Sequence, residues 1–311
     1  MVASSSEQVE ERKGHSASVN FLIRLVKEKP LGTVGGIVTL MLLLTGIFAD
    51  FLAPYGMNVP HIGQYLDPPS AQFWLGTDTL GRDVLSRVIY GARISVIVGL
   101  SGSMIAMVTS LVIGIVSGYW GGVFDLIVQR FVDALMCLPN LVLLMVLLIV
   151  IGAGMWQLII IMGLRTGIVG SRILRGSTLS IKENVYVQAA VSIGCPTYRI
   201  LWRHILPNIM APAIVLFTVR VPNMIRTEAS LSFLGFGIPP PAPSWGGMLS
   251  GMGRIYMLQA PWMVIWPGVA LAVVIYSINM FGDAVRDILD PRLRGGAGRY
   301  GAGTKKKAKK K

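Results

Sequence analysis

Ionisable side chains are scarce in this sequence, since only 14% of its 311 residues are Asp, Glu, Lys or Arg. A soluble domain carries about a quarter. The scarcity is uneven, because whole stretches such as 94–124, 134–164 and 255–282 contain no charged residue. About 20 apolar residues cross a bilayer as a helix, and these stretches lack the alternation of barrel strands. The sequence therefore predicts an all-α, polytopic membrane protein rather than a soluble domain.

Residues that carry catalysis or bind metals are also few. The two cysteines, Cys137 and Cys195, have no metal-ligand spacing, and His15, His61 and His204 fall in separate polar segments. No H-E-x-x-H, G-x-S-x-G, paired Cys-x-x-Cys or phosphate-binding loop is present. We therefore expect no enzyme, no metal site and no cofactor bound by this chain, so that any uphill transport must draw its energy from a partner or an ion gradient.

Six membrane helices are predicted from the apolar runs. The spans are 31–51, 94–118, 134–152, 155–173, 209–232 and 263–284. Lys and Arg are far more numerous on the side of both chain termini than on the other side, and such residues accumulate in the cytosol. Both termini are therefore expected in the cytosol. The first 30 residues lack a short apolar core followed by a small-residue cleavage site, so we expect no cleaved signal peptide.

Domain boundaries follow from the same spans. We expect a cytosolic leader at 1–30, a membrane domain at 31–284 and a basic cytosolic tail at 285–311. Within the membrane domain, 51–93 forms an external loop and 174–208 forms a cytosolic loop.

The two terminal regions each have two interpretations. Residues 18–29 mix apolar side chains with Arg24, Lys27 and Lys29, which fits an interfacial helix on the inner leaflet or a frayed basic leader. The final KKKAKKK contributes much of the net charge of +13. It fits a solvated disordered tail or a segment that binds anionic membrane lipid, and we expect no nucleic-acid partner.

A polar interruption at 184–208 is the most informative stretch, and it reads NVYVQAAVSIGCPTYRILWRHILPN. Its spacing resembles the EAA motif of the membrane permeases of binding-protein-dependent ABC importers, which is EAA, three residues, Gly, nine residues and I-x-L-P. The matching residues are Gln188, Ala189, Ala190, Gly194, Leu206 and Pro207. Gln188 replaces the Glu of the motif and His204 replaces its Ile, so any ion pair made by that Glu is missing here.

Three further stretches, 74–95, 228–249 and 281–294, resemble the C-type permease subunit of the dipeptide, oligopeptide and nickel branch. The resemblance covers roughly residues 20–294. It implies the type I ABC importer permease fold with six spans, in the bacterial cytoplasmic (inner) membrane. It also implies four partners: a second permease subunit (B-type), two cytosolic ATPase subunits that bind ATP-Mg, and an extracytoplasmic solute-binding protein.

The chemistry of the 184–208 segment suits a docking element. Small side chains at Ala189 and Ala190 let a short helix approach a partner closely, and Gly194 permits a turn there. Arg199 and Arg203 lie four residues apart and can meet acidic groups on a soluble protein. The resemblance implies that this element couples the spans to the ATPases, and the alternative is an ordinary amphipathic connector.

Arg165 lies near the middle of the fourth predicted span, and Arg220, Arg226 and Glu228 lie within the fifth. Charges at this depth cost a few kcal/mol unless they face water or an opposite charge. One hypothesis is that Arg165, Arg220 and Glu228 line the translocation pathway and favour a substrate carboxylate. The other hypothesis is that the arginines form a structural ion pair with Glu228 or with the partner permease.

The external loop concentrates four charges: Asp78, Arg82, Asp83 and Arg87. They face the side from which substrate arrives. They either contact a binding protein or form a self-contained, ion-paired cap over the spans, and the sequence leaves both interpretations open.

The function that these expectations favour is that of a permease subunit. It would form half of the translocation pathway of an ATP-driven importer of dipeptides or oligopeptides. The alternatives are an ion-coupled secondary transporter that acts alone, and an ABC permease for nickel or another small solute. A secondary transporter would favour inverted repeats and broken helices in matching halves, and no such internal symmetry is evident.

Overall fold

A computed structural model describes residues 17–289, and in this range the chain is helical with no β-strand. The helices are α1 Ala17–Glu28, α2 Pro30–Ile47, α3 Ala49–Leu52, α4 Val84–Trp120, α5 Gly122–Cys137, α6 Asn140–Ile151, α7 Met155–Lys182, α8 Val185–Ser192, α9 Thr197–Ile200, α10 Leu206–Phe233, α11 Trp245–Leu249, α12 Met252–Ile255 and α13 Trp262–Leu289. A π-helical turn, Leu201–Ile205, joins α9 to α10. Most of the predicted leader and the lysine tail lie outside the described residues.

The predicted all-α membrane architecture is confirmed. Within the described range, five helices are long and apolar enough to cross a membrane, or six if a bent pair is counted as one span. Four predicted spans agree with α2, α7, α10 and α13, although α7 continues to Lys182 instead of ending near 173. The second span is longer than predicted, because α4 begins at Val84 rather than near 94.

The predicted third span, 134–152, is broken. The helices α5 and α6 meet at an angle of 96° across Leu138 and Pro139. Proline disfavours the helical conformation in the residue before it, and Leu138 is extended with φ −86° and ψ 131°. With 12 residues, α6 is about 18 Å long, which is shorter than the apolar thickness of a bilayer. In this region only the two helices of the bent pair together reach the length and hydropathy of a span.

The centre of the bundle is the packing of α4 against α7. The two helices approach closely because small residues line the seam between them. A Cβ atom added to Gly167 would lie 2.5 Å from Cβ of Thr109, so no larger residue fits there. The Ser110 hydroxyl donates a hydrogen bond to the Gly167 carbonyl at 2.7 Å. Small residues and interhelical hydrogen bonds hold helices together where lipid supplies no hydrophobic drive.

The N-terminal helices pack on the C-terminal one. Helix α2 lies along α13, and α1 rests its Leu25 on Ala284 and Ile288 of α13. Lys29 donates to Asp287 at 2.6 Å. Of the two interpretations of residues 18–29, the helical one agrees with the structure. Contacts with α13 hold this helix against the bundle.

The bundle has two distinct ends. The loop end carries residues 53–83 together with α11 and α12, and there the Trp245 indole donates to the Val88 carbonyl at 3.0 Å near the start of α4. The opposite end carries residues 184–208, the α8–α9 segment. There Lys182 donates to the Tyr119 carbonyl at 2.6 Å near the end of α4.

Candidate functional site

The α8–α9 segment is a compact helical hairpin between two spans. Helix α8 follows directly after α7, and the chain reverses at Gly194, whose φ of +77° favours glycine. The N–H of Cys195 donates to the Ala190 carbonyl at 3.0 Å and closes the turn. Pro196 then precedes α9. The turn at Gly194 agrees with the prediction from the sequence, and the hairpin is built by local interactions.

Apolar side chains anchor this hairpin to the bundle. Val187, Ala190, Ile200 and Ile205 are buried. They share a cluster with residues of α4, α7 and α10, namely Ile115, Leu174, Ile209 and Ala213. The anchoring face is thus fixed to three spans.

The opposite face of the hairpin is open. Most of the residues predicted for coupling are exposed here: Gln188, Ala189, Gly194, Arg199, Arg203 and Pro207. Ala190 is buried against the bundle instead, and Leu206 is half-buried. The side-chain amide of Gln188 donates to the Glu183 carbonyl at 3.3 Å, so it links α8 to the residue that follows α7.

Two cations and a set of large apolar side chains make up this open face. Within residues 17–289, the side chains of Arg199 and Arg203 have neither an ion pair nor a hydrogen bond. The exposed apolar residues are Val185, Tyr186, Val191, Ile193, Tyr198 and Trp202. A contiguous apolar patch bordered by polar groups marks an interaction surface in a protein. Trp202 and Tyr198 were not among the predicted residues, although their spacing of four residues beside the two arginines was a usable signal.

The hairpin is connected closely to two spans. At one side it follows α7, and at the other side α9, the π-helical turn and α10 form one unbroken helix, Thr197–Phe233. Near the hairpin, Arg175 of α7 makes a two-pronged ion pair with Asp125 of α5, with Nε donating to Oδ1 at 2.6 Å. The hairpin is therefore joined to α10 without an intervening loop and to α7 by two residues.

Arg220 lies deep in the bundle. Its side chain is only 7% exposed, and Nη2 donates to the Ser110 hydroxyl at 2.9 Å. The guanidinium rests on Gly170, where an added Cβ atom would lie 1.7 Å from Nη2. The Nη1 atom makes no hydrogen bond among the described residues. The α4–α7 seam therefore buries a cation without a carboxylate.

Glu228 is also buried, at 1% exposure. Its Oε1 accepts from the Ser232 hydroxyl at 2.6 Å, the Ser244 hydroxyl faces the same carboxyl group, and Oε2 makes no hydrogen bond in residues 17–289. No ion pair joins it to Arg220 or to the half-buried Arg165 within that range. The hypothesis of an ion pair with Glu228 is thus wrong for this chain alone, whereas the roles in a pathway or against a partner stay predictions.

The four charged residues of the loop end are engaged internally. Asp78 accepts from the backbone N–H of Arg82 at 2.9 Å and from its Nε at 2.7 Å, and Arg87 lies 3.7 Å from the same carboxylate. Arg87 also donates to the Met57 carbonyl at 3.1 Å. Asp83 caps α4 by accepting from the Ser86 N–H at 2.8 Å. This arrangement has the form of the ion-paired cap, one of the two interpretations that the sequence leaves open.

A cavity of about 540 Å³ lies beside this cap. Its wall includes Asp78, Arg87, Ser232, Ser244 and Met252. Among the described residues, no group of three or more His, Cys, Asp or Glu side chains is placed to hold a metal ion.

Comparison with known proteins identifies related chains. The family described as "Binding-protein-dependent transport system inner membrane component" matches residues 110–295. The oligopeptide transport system permease protein OppC of Bacillus subtilis is 37% identical over 86% of this chain and 88% of its own length. The dipeptide transport system permease protein DppC of the same organism is 38% identical over 87% of this chain and 85% of its own.

A third relative differs in the cargo that its name gives. The glutathione transport system permease protein GsiD of Pectobacterium atrosepticum is 35% identical over 85% of this chain and 88% of its own length. The family match, residues 110–295, runs from the second half of α4 through α13 and includes the α8–α9 segment.

Proposed function

This chain belongs to the family of binding-protein-dependent transport system inner membrane components, and on that premise we propose that it is a permease subunit of an ATP-driven importer of short peptides. It spans the membrane several times, and it forms half of the translocation pathway. A second permease subunit forms the other half. A solute-binding protein delivers the peptide, and two cytosolic ATPases that bind ATP-Mg supply the energy.

One observation carries this proposal: the α8–α9 segment is anchored on one face and open on the other. Ile200 and Ile205 are buried in the bundle, while Trp202 between them is 71% exposed. An element of this kind receives force from a partner and transmits it to the helices that continue from it. Coupling therefore involves the residues that the spacing indicates: Gln188, Ala189, Ala190, Gly194, Arg199, Arg203, Leu206 and Pro207.

The π-helical turn suits the point at which the force enters α10. Such turns are rare and occur often at functional sites. Residues Leu201–Ile205 form this turn directly before the span. When the ATPases close on ATP, we expect the hairpin to move with them, and α7 and α10 to change the opening of the pathway.

Short peptides are the cargo that the relatives support. Their names give oligopeptides, dipeptides and glutathione, all of which contain amide bonds and carboxylates. The ion-coupled transporter is not favoured, because a solitary transporter would have no use for the open hairpin surface. Nickel or another small solute has no support among these names.

Two tryptophans with the same exposure provide a matched test. Trp202 and Trp74 are each 71% exposed, but Trp202 lies on the hairpin and Trp74 on the loop end. In the complete detergent-solubilised transporter, Trp202→Ala is expected to weaken association with the ATPases about tenfold or more, because exposed aromatic side chains are frequent hot spots of interfaces. Trp74→Ala is expected to leave that association unchanged. The measurement is retention of the ATPases on the immobilised permease pair.

Equal losses for the two variants would contradict the proposal, since the tryptophans would then act through stability rather than docking. No loss for Trp202→Ala would contradict it as well.

Sidedness has its own test. In a background of Cys137→Ser and Cys195→Ser, the variant Gln188→Cys is expected to react with a membrane-impermeant maleimide only after the cells are permeabilised. Reaction in intact cells would place the hairpin outside the cytosol and remove the ATPase role.

A further inference from the structure

Helix α10 exposes a line of polar side chains in its second half. The line consists of Asn223, Arg226, Thr227 and Ser230, which we call the α10 ridge. These residues are exposed or half-exposed, and their spacing of three and four places them on one face of the helix. Arg226 is the only charged member of the ridge.

The depth of the ridge makes it unusual. Arg226 precedes the end of α10 at Phe233 by seven residues, which corresponds to about 10 Å along the helix. About seven residues from the corresponding ends of α2 and α13, the exposed side chains include Leu40, Met41 and Val269, which suit lipid. Polar and ionisable groups in a span face a water-filled cavity or another protein chain instead.

Hydrogen bonds within the ridge use up most of its polar atoms. Asn223 donates to the Val219 carbonyl at 2.8 Å, Thr227 donates to the Asn223 carbonyl at 2.8 Å, and Ser230 donates to the Arg226 carbonyl at 2.9 Å. The free donors that remain are concentrated on the guanidinium of Arg226, which has no ion pair within residues 17–289.

The direction of the Arg226 side chain argues against a lipid-facing role. An arginine near the end of a span normally extends toward the interface to reach water. Here Nη2 donates to Oδ1 of Asn223 at 2.9 Å, so the guanidinium turns toward a residue that lies deeper in the span. The guanidinium is therefore held deeper in the span than the backbone of Arg226, a position that suits a polar surrounding better than lipid.

Arg226 differs in this respect from Arg220 on the same helix. Arg220 is enclosed by the α4–α7 seam and donates to Ser110, so its surroundings leave little room for a ligand. Arg226 is open. If one arginine of α10 meets a transported solute, the open one is favoured.

We propose that the α10 ridge lines the translocation pathway and that Arg226 binds the C-terminal carboxylate of the peptide as it passes. This rests on the proposed function above. A guanidinium presents a fork of donors that matches a carboxylate. Since α10 continues directly from the hairpin, Arg226 moves during the transport cycle, and a permanent ion pair with the second permease would oppose that movement. A substrate carboxylate leaves at the end of each cycle.

The test uses the complete importer in proteoliposomes, with ATP inside and saturating binding protein outside. Labelled dialanine, tetraalanine and glutathione are the probes. Arg226→Gln keeps the length and a donor but removes the charge, and it is expected to lower peptide uptake about tenfold. ATP hydrolysis stimulated by the loaded binding protein is expected to stay within about twofold, since docking and closure are unaffected. Arg226→Lys should retain part of the uptake.

Arg254→Gln is the matched control, because Arg254 is exposed near the same end but lies outside α10. It is expected to transport as the unaltered protein does. Unchanged uptake by Arg226→Gln would overturn the inference and leave the proposed function intact. Loss of the second permease from the purified Arg226→Gln complex would also overturn it, since Arg226 would then be an interface residue. If the unaltered importer takes up none of the three peptides with ATP, the proposed function itself fails.

Discussion

The two ends of the bundle differ in whether their charged and aromatic side chains have bonding partners within the chain. At the loop end, Asp78 and Arg87 bind each other or nearby backbone, and the indoles of Trp245 and Trp262 donate to carbonyls at 3.0 and 3.1 Å. At the other end, Arg199 and Trp202 project from the α8–α9 segment without a partner in residues 17–289. These groups of the first end are bound within the chain, whereas those of the second end stay open within residues 17–289.

This difference shows that density of charge in the sequence does not reveal which charged groups are left without a partner in the fold. The loop end has the denser cluster of charges in the sequence, yet its side chains are used for stability. A binding protein that docks at the loop end would meet exposed apolar residues such as Ile62, Trp74 and Leu258 rather than the buried ion pairs. Whether a charged group has a partner within its own chain is the more informative property.

Among substitutions that distinguish the two ends, the largest change in the free energy of unfolding is expected at Asp78. Asp78→Asn removes the countercharge of Arg82 and of the buried Arg87. Breaking a buried ion pair on one side is strongly destabilising, so unfolding in mixed detergent micelles is expected to become easier by about 3 kcal/mol. Asp283→Asn is the matched control, because Asp283 is exposed near the other end and has no ion pair among the described residues. Its unfolding is expected to be unchanged.

A small effect at Asp78 would mean that the cap is held by its backbone bonds alone. The loop end would then be less self-contained than the comparison requires, and its charges would be available for a binding protein.

The sequence was sufficient for the features that depend on local composition. Apolar runs predicted α2, α10 and α13, and Ala189, Ala190 and Gly194 predicted a short helix followed by a turn. These features follow from neighbouring residues, and so they can be read from a single chain. The break at Pro139 also had a local signal, but the long apolar run around it was interpreted as one continuous span.

The remaining features depend on contacts between distant parts of the chain. Arg87 reaches the carbonyl of Met57, 30 positions earlier, and Arg220 reaches Ser110 on another helix. No pattern around Arg220 indicates whether it faces a pathway or a seam. The same holds for Arg226, whose exposure becomes evident only when the packing of α10 is known.

A second, smaller contrast lies along α7, between a packed and an open glycine. Gly170→Ala places Cβ against the guanidinium of Arg220 and displaces it from Ser110, so unfolding is expected to become easier by about 1–3 kcal/mol. Gly176 has no atom within 4 Å of an added Cβ, and Gly176→Ala is expected to stabilise the helix by about 0.5–1 kcal/mol. Opposite signs in one unfolding series would support the packing, and equal signs would contradict the burial of Arg220.

The smallest change in stability is expected for substitutions on the open face of the hairpin. These substitutions test the difference between the two ends of the bundle most directly. Arg199→Gln with Arg203→Gln removes two exposed cations that have no partner within the described chain, so the free energy of unfolding should change by no more than about 0.5 kcal/mol. Association with the ATPases should nevertheless weaken, and the loss should shrink as salt is added, because exposed charges are screened. Loss of stability without loss of association would contradict the role of these arginines in docking. They would then stabilise the fold, as the charges of the loop end do.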